Sequence, residues 1–149
     1  MIDWVKTTTL LLKMRDMETF SSGLVMRITG ASARQLDYWI WSGFVQPTDT
    51  AGYKRKFSFE DVVRITAVMR LKEAGLSLQA IKRTIEKLRQ HHQDPLRDLK
   101  LVAYRGEVYI YNNDEAAYRA ADGQATYIFM DLGKVAEQTE IMLNSLSLK

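Results

Sequence analysis

The chain contains no cysteine. Disulfide bonds, thiolate metal sites and thiol redox switches are therefore excluded, and a cytosolic location fits this absence. The apolar run from Thr7 to Leu12 is far too short to cross a bilayer. No small-residue cleavage site follows that run, so we expect neither a targeting signal nor a membrane anchor.

Catalytic signatures are absent from the sequence as well. It has no nucleophile paired with a base, no phosphate-binding loop and no cluster with metal-ligand spacing. His91 and His92 lie near Asp94, but adjacent residues on a helix point in different directions, so paired metal ligation is unfavourable. We therefore expect no metal, no cofactor and no enzymatic activity.

The composition is that of a soluble globular protein, with 46% hydrophobic and 26% charged residues. The 149 residues suffice for one ordinary domain, or for a small domain with an appendage. Charge is unevenly distributed: residues 20–93 carry twelve Lys and Arg against six Asp and Glu, net +6, whereas residues 94–149 carry six against nine, net −3. The basic segment favours a polyanionic partner such as nucleic acid, although an ordinary solvated surface also explains it.

Two short helices are predicted at the start of this basic segment. The first runs from residue 21 or 22 to residue 28 and is broken at Gly30. Ser32 begins the second helix, and Gln35 follows three residues later, which is the pattern of a capping box. Gly43 is expected to end that helix in a left-handed conformation. Two helices joined by a tight, glycine-containing turn indicate a helix-turn-helix.

The second helix has two faces of different character. One stripe, at spacing i, i+3, i+4, is apolar and is predicted to face the core: Leu36, Trp39 and Ile40. The other, at spacing i, i+4, i+7, combines a guanidinium group with aromatic rings: Arg34, Tyr38 and Trp41. The second stripe is a candidate contact surface for a partner outside the core.

A turn-rich stretch, QPTDTAGYKRKFSF, follows and contains three consecutive basic residues. A third helix is predicted from Ser58 to a stop at Gly75, with apolar positions at Val62, Val63, Thr66 and Met69. Ser77 is predicted to begin a fourth helix. Its apolar face comprises Leu78, Ile81, Ile85 and Leu88.

The pattern changes near Asp94, where we place a boundary, because a residue before proline avoids the helical region. Residues 99–112, LKLVAYRGEVYIYN, predict a hairpin around Arg105-Gly106, and a short helix closed by Gly123 and a strand over residues 124–131 follow. A helix from Gly133 carries a narrow apolar seam of Val135, Thr139, Met142 and Leu146. The aromatic residues here either line a small-molecule pocket or form the sheet's own packing, the commoner case: Tyr104, Tyr109, Tyr111, Tyr127 and Phe129.

Two segments, ITGASARQLDYWIWSGFVQP and FSFEDVVRITAVMRLKEAGLSLQAIKRTIEKLR, occur in this order with a basic turn between them. In order and spacing they resemble the MerR family of bacterial transcription regulators, from about Phe20 to Arg89. Together, the residue pattern and this resemblance predict an α+β protein with an N-terminal arm at residues 1–19. A winged helix-turn-helix DNA-binding domain at residues 20–94 follows the arm. A small antiparallel β plus helix segment at residues 95–149 comes last.

In such regulators the second helix enters the major groove of DNA and the wing contacts the backbone. The resemblance therefore implies DNA-binding roles for Arg34, Gln35 and Tyr38 on the helix, and for Tyr53, Lys54, Arg55 and Lys56 in the wing. Trp41 is expected to support the wing rather than to contact DNA, because a large ring is usually mostly buried. Family members commonly have a basic residue where Asp37 stands, and this departure bears on phosphate contact and base preference.

The resemblance implies a cytoplasmic regulator that binds a near-palindromic operator as a homodimer, with two recognition helices in successive major grooves. It also implies a contact with RNA polymerase at a promoter, and it leaves open whether a small-molecule effector exists. We expect the C-terminal helix and its strands to form the dimer contact, the alternative being a helix that folds back on its own sheet. The alternative function is a protein-interaction module that keeps the winged fold without binding DNA, which Asp37 and the modest charge support.

Overall fold

The structure is a computed structural model that describes residues 18–48, 55–90 and 99–147. Within these ranges it contains six helices and two small antiparallel sheets, which confirms the α+β class. The elements in chain order are β1 (Thr19–Ser21), α1 (Ser22–Thr29), α2 (Ala33–Trp41), β2 (Lys56–Ser58), α3 (Phe59–Glu73), α4 (Leu78–Gln90), β3 (Lys100–Tyr104), β4 (Glu107–Tyr111), α5 (Asp114–Ala121), β5 (Ile128–Asp131) and α6 (Leu132–Ser147).

The chain forms two compact units, of which the first ends at Val62 and the second begins at Val63. The domain boundary that the sequence predicts near Asp94 falls at residues 91–98, which lie outside the described residues. The pair of histidines at positions 91 and 92 lies there too. That boundary therefore stays a prediction.

Local hydrogen bonds set the ends of the first two helices. The hydroxyl of Ser21 accepts from the backbone N–H of Leu24 at 3.3 Å and begins α1. Gly30 ends it with a φ of 78°, a left-handed conformation that glycine adopts without a Cβ clash. At the next helix Ser32 and Gln35 form the reciprocal capping box, so this prediction is confirmed.

Helix α2 ends at the glycine that the sequence indicates. The backbone N–H of Gly43 donates to the carbonyl of Ile40 at 3.0 Å, and that of Phe44 donates to the carbonyl of Trp39 at 3.0 Å. With a φ of 82° at Gly43, these bonds form a Schellman motif, which satisfies two carbonyl groups at the helix end. The chain therefore reverses sharply after α2, and Phe44 and Val45 are buried immediately beyond it.

The first unit also contains a small antiparallel sheet. Strands β1 and β2 pair with Phe20 opposite Phe57, and both side chains are buried. The hydroxyl of Ser58 accepts from the backbone N–H of Asp61 at 3.1 Å, so the predicted start of α3 is confirmed. This sheet fixes the position at which the chain returns from the turn-rich stretch. Residues 49–54 of that stretch lie outside the described residues.

Burial confirms most of the predicted core of α3 and α4. All four apolar positions predicted for α3 are buried, as are Ile81, Ile85 and Leu88 of α4. The expectation for Leu78 was wrong, because its side chain is 64% exposed. Ala80 and Thr84 are fully buried instead, and they move the centre of the buried stripe away from Leu78.

The sheet of the second unit has the strand order β4-β3-β5 with both pairings antiparallel. The predicted hairpin is confirmed, and its two-residue turn has positive φ values at Arg105 (54°) and Gly106 (76°). Two successive positive φ values are the signature of a type I′ turn, whose twist matches that of a hairpin. Helix α5 packs on this sheet, with Ala117 and Ala121 against Val102.

Helix α4 is joined to strand β4 by charged groups. Arg83 Nε lies 3.0 Å from a carboxylate oxygen of Glu107, and Lys87 Nζ lies 3.4 Å from the other. The hydrogen bond from Arg83 is the main reason why the pKa of Glu107 lies below its ordinary value. Lys87 also donates to the carbonyl of Val108 at 2.6 Å and lies over the ring of Tyr109.

The aromatic side chains of the sheet pack against one another. Tyr104 stacks on Tyr109 with ring centroids 4.7 Å apart, and Tyr118 stacks on Phe129 at 4.9 Å. Tyr127 takes part in neither stack and is 48% exposed. Packing within the sheet, rather than the lining of a closed pocket, therefore accounts for most of the aromatic residues.

Helix α6 begins at Leu132, where the carboxylate of Asp131 accepts from the backbone N–H of Gly133 at 2.8 Å. Val135 and Thr139 of the predicted seam are buried within the single chain, whereas Met142 is exposed. The buried stripe of the helix therefore continues at Leu143, which is 1% exposed, rather than at Met142. No helix in the described ranges is long and apolar enough to cross a membrane.

We predict that Ile85→Ala lowers the free energy of unfolding by about 2–5 kcal/mol, because it removes a buried aliphatic side chain. Leu78→Ala on the same helix is the matched control and should change stability by less than about 0.5 kcal/mol, since Leu78 is exposed. Urea denaturation followed by circular dichroism measures both. Equal losses in the two variants would contradict the assignment of the buried face.

Candidate nucleic-acid interface

Helix α2 presents one face to the core and another to solvent. Leu36 and Trp39 are buried, and Ile40 is half-buried. The residues on the opposite face are exposed: Arg34, Asp37, Tyr38 and Trp41. The predicted division of the helix is therefore confirmed. Because the inner face is fixed by packing, the outer residues are presented in a defined order along the helix.

Arg34 lies in the first turn of α2 and is exposed. It forms no hydrogen bond or ion pair with another side chain in the described part of the chain. The planar guanidinium carries five N–H donors in a fork that matches phosphate oxygens or the O6 and N7 edge of guanine. Arg34 can therefore serve an external ligand without giving up an internal contact.

Gln35 has a structural task in addition to its predicted role. Its Oε1 atom accepts from the backbone N–H of Ser32 at 2.9 Å as half of the capping box. The amide nitrogen of the same side chain still carries two N–H donors. Any ligand that Gln35 binds must therefore accept hydrogen bonds from that amide nitrogen.

Trp41 corrects one expectation from the sequence. We expected a mostly buried ring that supports the wing, but the side chain is 83% exposed. Its ring centroid lies 6.3 Å from that of Tyr38, which is also exposed. The last turn of α2 bears Trp39 on the buried side, so the neighbouring Trp41 points away from the core. Trp41 thus extends the outer face of the helix with an aromatic surface and an indole N–H donor.

Asp37 and Arg55 form an ion pair within the first unit. Arg55 Nη1 lies 2.7 Å from Asp37 Oδ1, with 21% of the arginine side chain and 62% of the aspartate side chain exposed. Asp37 lies on α2, and Arg55 comes directly before β2. The contact therefore ties the start of the strand to the outer face of the helix.

The remaining predicted site residues divide by position. Lys56 is exposed on β2, beside the buried Phe57. Arg55 lies against α2, as described above. Tyr53 and Lys54 lie outside the described residues, and their DNA-binding roles stay predictions. Asp37 and Trp41 were not among the predicted DNA-binding residues. Trp41 already belonged to the predicted contact stripe, and helical spacing places Asp37 next to Arg34.

The chemistry of this face is that of a hydrogen-bond donor surface. It offers the guanidinium of Arg34, the amide of Gln35 and the indole N–H of Trp41, and the first unit has a further exposed ammonium group, that of Lys56 on β2. Donors of these types bind phosphate oxygens and the acceptor edges of bases. Among the described residues, no group of three or more His, Asp or Glu side chains could hold a metal ion.

A short helix, a tight turn, an exposed second helix and a flanking antiparallel ribbon define a helix-turn-helix protein. The family described as "MerR HTH family regulatory protein" matches residues 20–88 of the sequence. The HTH-type transcriptional regulator TnrA of Bacillus subtilis is 30% identical over 76 residues, which are 51% of this chain and 69% of TnrA. The chain belongs to the MerR family of helix-turn-helix regulatory proteins.

Two further relatives extend the comparison. The HTH-type transcriptional regulator GlnR of Bacillus anthracis is 38% identical over 71 residues, which are 48% of this chain and 55% of GlnR. An uncharacterized HTH-type transcriptional regulator of Mycobacterium bovis is 29% identical over 121 residues, which are 78% of this chain and 54% of that protein. The chain thus spans about half the length of these two relatives.

The exposure of Trp41 leads to a stability prediction. Trp41→Ala should change the free energy of unfolding by less than about 0.5 kcal/mol, because an exposed side chain contributes little to packing. Trp39→Ala is the matched control on the buried face and should cost about 3–5 kcal/mol. Guanidinium unfolding monitored by circular dichroism distinguishes them. A large loss with Trp41→Ala would show that this ring has a packing role after all.

Proposed function

We propose that this protein is a DNA-binding transcriptional regulator whose helix α2 enters the major groove of duplex DNA. The observation that carries the proposal is the outer face of α2, where the exposed Arg34 stands beside Tyr38 and Trp41 and forms no side-chain hydrogen bond or ion pair with the residues that the structure describes. Burial of Leu36 and Trp39 leaves this face without a role in the core. An α-helix with donors at its N-terminal turn is the form that fits the major groove.

Each side chain has a role that follows from its chemistry. Arg34 binds a phosphate or the edge of a guanine, and phosphate contacts are the more frequent kind. The hydroxyl of Tyr38 donates to a phosphate, as tyrosine commonly does in such interfaces. Lys56 supplies a point charge to the DNA backbone from the ribbon. The wing residues Tyr53 and Lys54 join them in this proposal.

The relatives support regulation of transcription as the biological role. TnrA and GlnR are both named HTH-type transcriptional regulators, and the match to the MerR family covers residues 20–88, which contain α1 and α2. In the proposed role the protein acts in the cytoplasm, binds a near-palindromic operator and alters the access of RNA polymerase to a promoter. Repression and activation are both compatible with the side chains on this face.

Selection of bound duplexes from a random pool tests the proposal directly. The full chain should enrich a sequence with two related half-sites separated by about one helical turn, because two copies would place two recognition helices on one face of DNA. A protein-interaction module with a winged fold would enrich no sequence. It would also show no salt-dependent binding to duplex DNA.

Arg34→Ala should weaken binding to the selected duplex by about 1–3 kcal/mol. Arg34→Lys is the matched control, since it keeps the charge but loses the planar fork. If Arg34 binds a phosphate, the lysine variant retains most of the affinity, and if it reads a base, both variants lose it. Fluorescence anisotropy with labelled duplexes measures the affinities. Unchanged affinity of Arg34→Ala at low salt would contradict the proposal.

We propose further that the protein acts as a homodimer and that α6 contributes to the contact. Ile141 is 67% exposed and Met142 is 42% exposed, although both are apolar. They follow one another on the helix, after the part of the seam that the single chain buries. Two adjacent exposed apolar side chains are a small patch, so the strands beside α6 would have to enlarge the interface.

Charge placed in this patch should dissociate the dimer. We predict that Ile141→Lys/Met142→Lys sediments as a monomer at micromolar concentration, because burial of unpaired lysines at an interface is unfavourable. Gln79→Lys, at an exposed polar position of α4 rather than of α6, is the matched control and should remain dimeric. Analytical ultracentrifugation of the full chain gives the result. A monomeric wild type, or a dimer that survives the double substitution, would refute the α6 contact.

A further inference from the structure

The outer face of α2 contains one negatively charged group, which is unfavourable on a surface that binds negatively charged DNA. Asp37 is exposed and lies three residues after Arg34 and directly before Tyr38. A carboxylate near the phosphate backbone raises the electrostatic free energy of the complex, whatever the base sequence. Its presence on this face therefore needs a compensating interaction, and the ion pair with Arg55 supplies one.

The geometry of that pair limits what Arg55 can do. Arg55 Nη1 donates to Asp37 Oδ1 at 2.7 Å, a short charge-assisted hydrogen bond, and only 21% of the arginine side chain is exposed. A DNA phosphate that takes Arg55 as a partner has to displace the carboxylate from that nitrogen. The paired charges also cancel, so Arg55 releases few counterions from DNA while the pair is intact.

The strength of the ion pair determines how easily a DNA phosphate can displace Asp37 from Arg55. The Asp37 side chain is 62% exposed, so water screens its attraction to Arg55 and a phosphate can break the pair. Breaking it, however, leaves Asp37 unpaired in the negative potential of DNA. Arg55 therefore contributes less to the free energy of DNA binding than an arginine that has no such carboxylate beside it.

We propose that Asp37 is an intramolecular competitor of DNA phosphate for Arg55 and thereby lowers the sequence-independent affinity of the protein. This inference rests on the proposed DNA-binding function and concerns the same face of α2. As a consequence, a larger share of the binding free energy comes from Arg34 and its neighbours on the outer face of α2. Binding then depends less on salt than the number of basic residues indicates.

Neutralisation of Asp37 tests the proposal, because the proposal requires the affinity for DNA to rise rather than fall. Asp37→Asn should raise the affinity for the selected operator and for a random duplex by similar factors, about 3–10-fold at 0.1 M salt, because one more phosphate contact forms. The plot of log K against log salt should become steeper by about 0.9. Asp122→Asn makes the same charge change at an exposed position in the second unit and is the matched control.

The double variant separates the competition from a simple change in net charge. In an Arg55→Ala background, Asp37→Asn should give a distinctly smaller gain, because no guanidinium remains to be released. Equal gains in both backgrounds would overturn the proposal in favour of a through-space charge effect. Thermal unfolding of all variants by circular dichroism confirms that each is folded before its affinity is interpreted.

Three other outcomes would also overturn the proposal. Uniformly weaker binding by Asp37→Asn would mean that Asp37 positions Arg55 for a phosphate. A change confined to one base pair of the operator would mean that Asp37 reads that base. An unchanged affinity would mean that the pair plays no part in binding. If wild type and every variant fail to bind duplex DNA even at low salt, the proposed function fails and takes this inference with it.

Discussion

The burial of Leu36 and Trp39 fixes the rotation of α2 about its axis, and the candidate interface depends on that rotation. A helix places side chains at 100° intervals, so once two inner positions are packed, every outer position is determined. The capping box at Ser32 and the left-handed Gly43 fix the two ends of the helix in the same way. A helix held at both ends and along one side can present Arg34 and Trp41 with little freedom to reorient.

Features that depend on a few neighbouring residues were predictable from the sequence. The capping box, the turn at Arg105-Gly106 and the glycine ends of α2 and α3 are of this kind, because each is a hydrogen-bonding pattern within six residues or fewer. Leu78 and Trp41 were not predictable, since exposure depends on whether a distant element covers the residue. Periodicity says which residues share a face, but not how wide the covered part of that face is.

The ion pair of Asp37 and Arg55 also depends on residues that are distant in the sequence, so it was not predictable. Its members are eighteen positions apart, and the segment between them includes the first part of the turn-rich stretch. From the sequence, each residue was notable by itself. Asp37 stands where members of the family commonly have a basic residue, and Arg55 is one of three consecutive basic residues. In the structure the two residues are partners: the acid that departs from the family pattern pairs with the arginine that the resemblance assigns to the wing.

The segment beyond the family match is not a separate appendage, because its strand β4 contacts helix α4 directly. The match ends at residue 88, within α4, yet Arg83 and Lys87 of that helix bind Glu107 on β4. The alignment with the Mycobacterium bovis regulator covers 121 residues, more than the matched helix-turn-helix contains, so it takes in residues on at least one side of that segment. Strand β4 is also held through the carbonyl of Val108 and the ring of Tyr109, both bound by Lys87. Helix α4 and the β4 edge of the sheet are therefore joined by several contacts rather than by one, each of them weak by itself because the ion pairs are partly exposed.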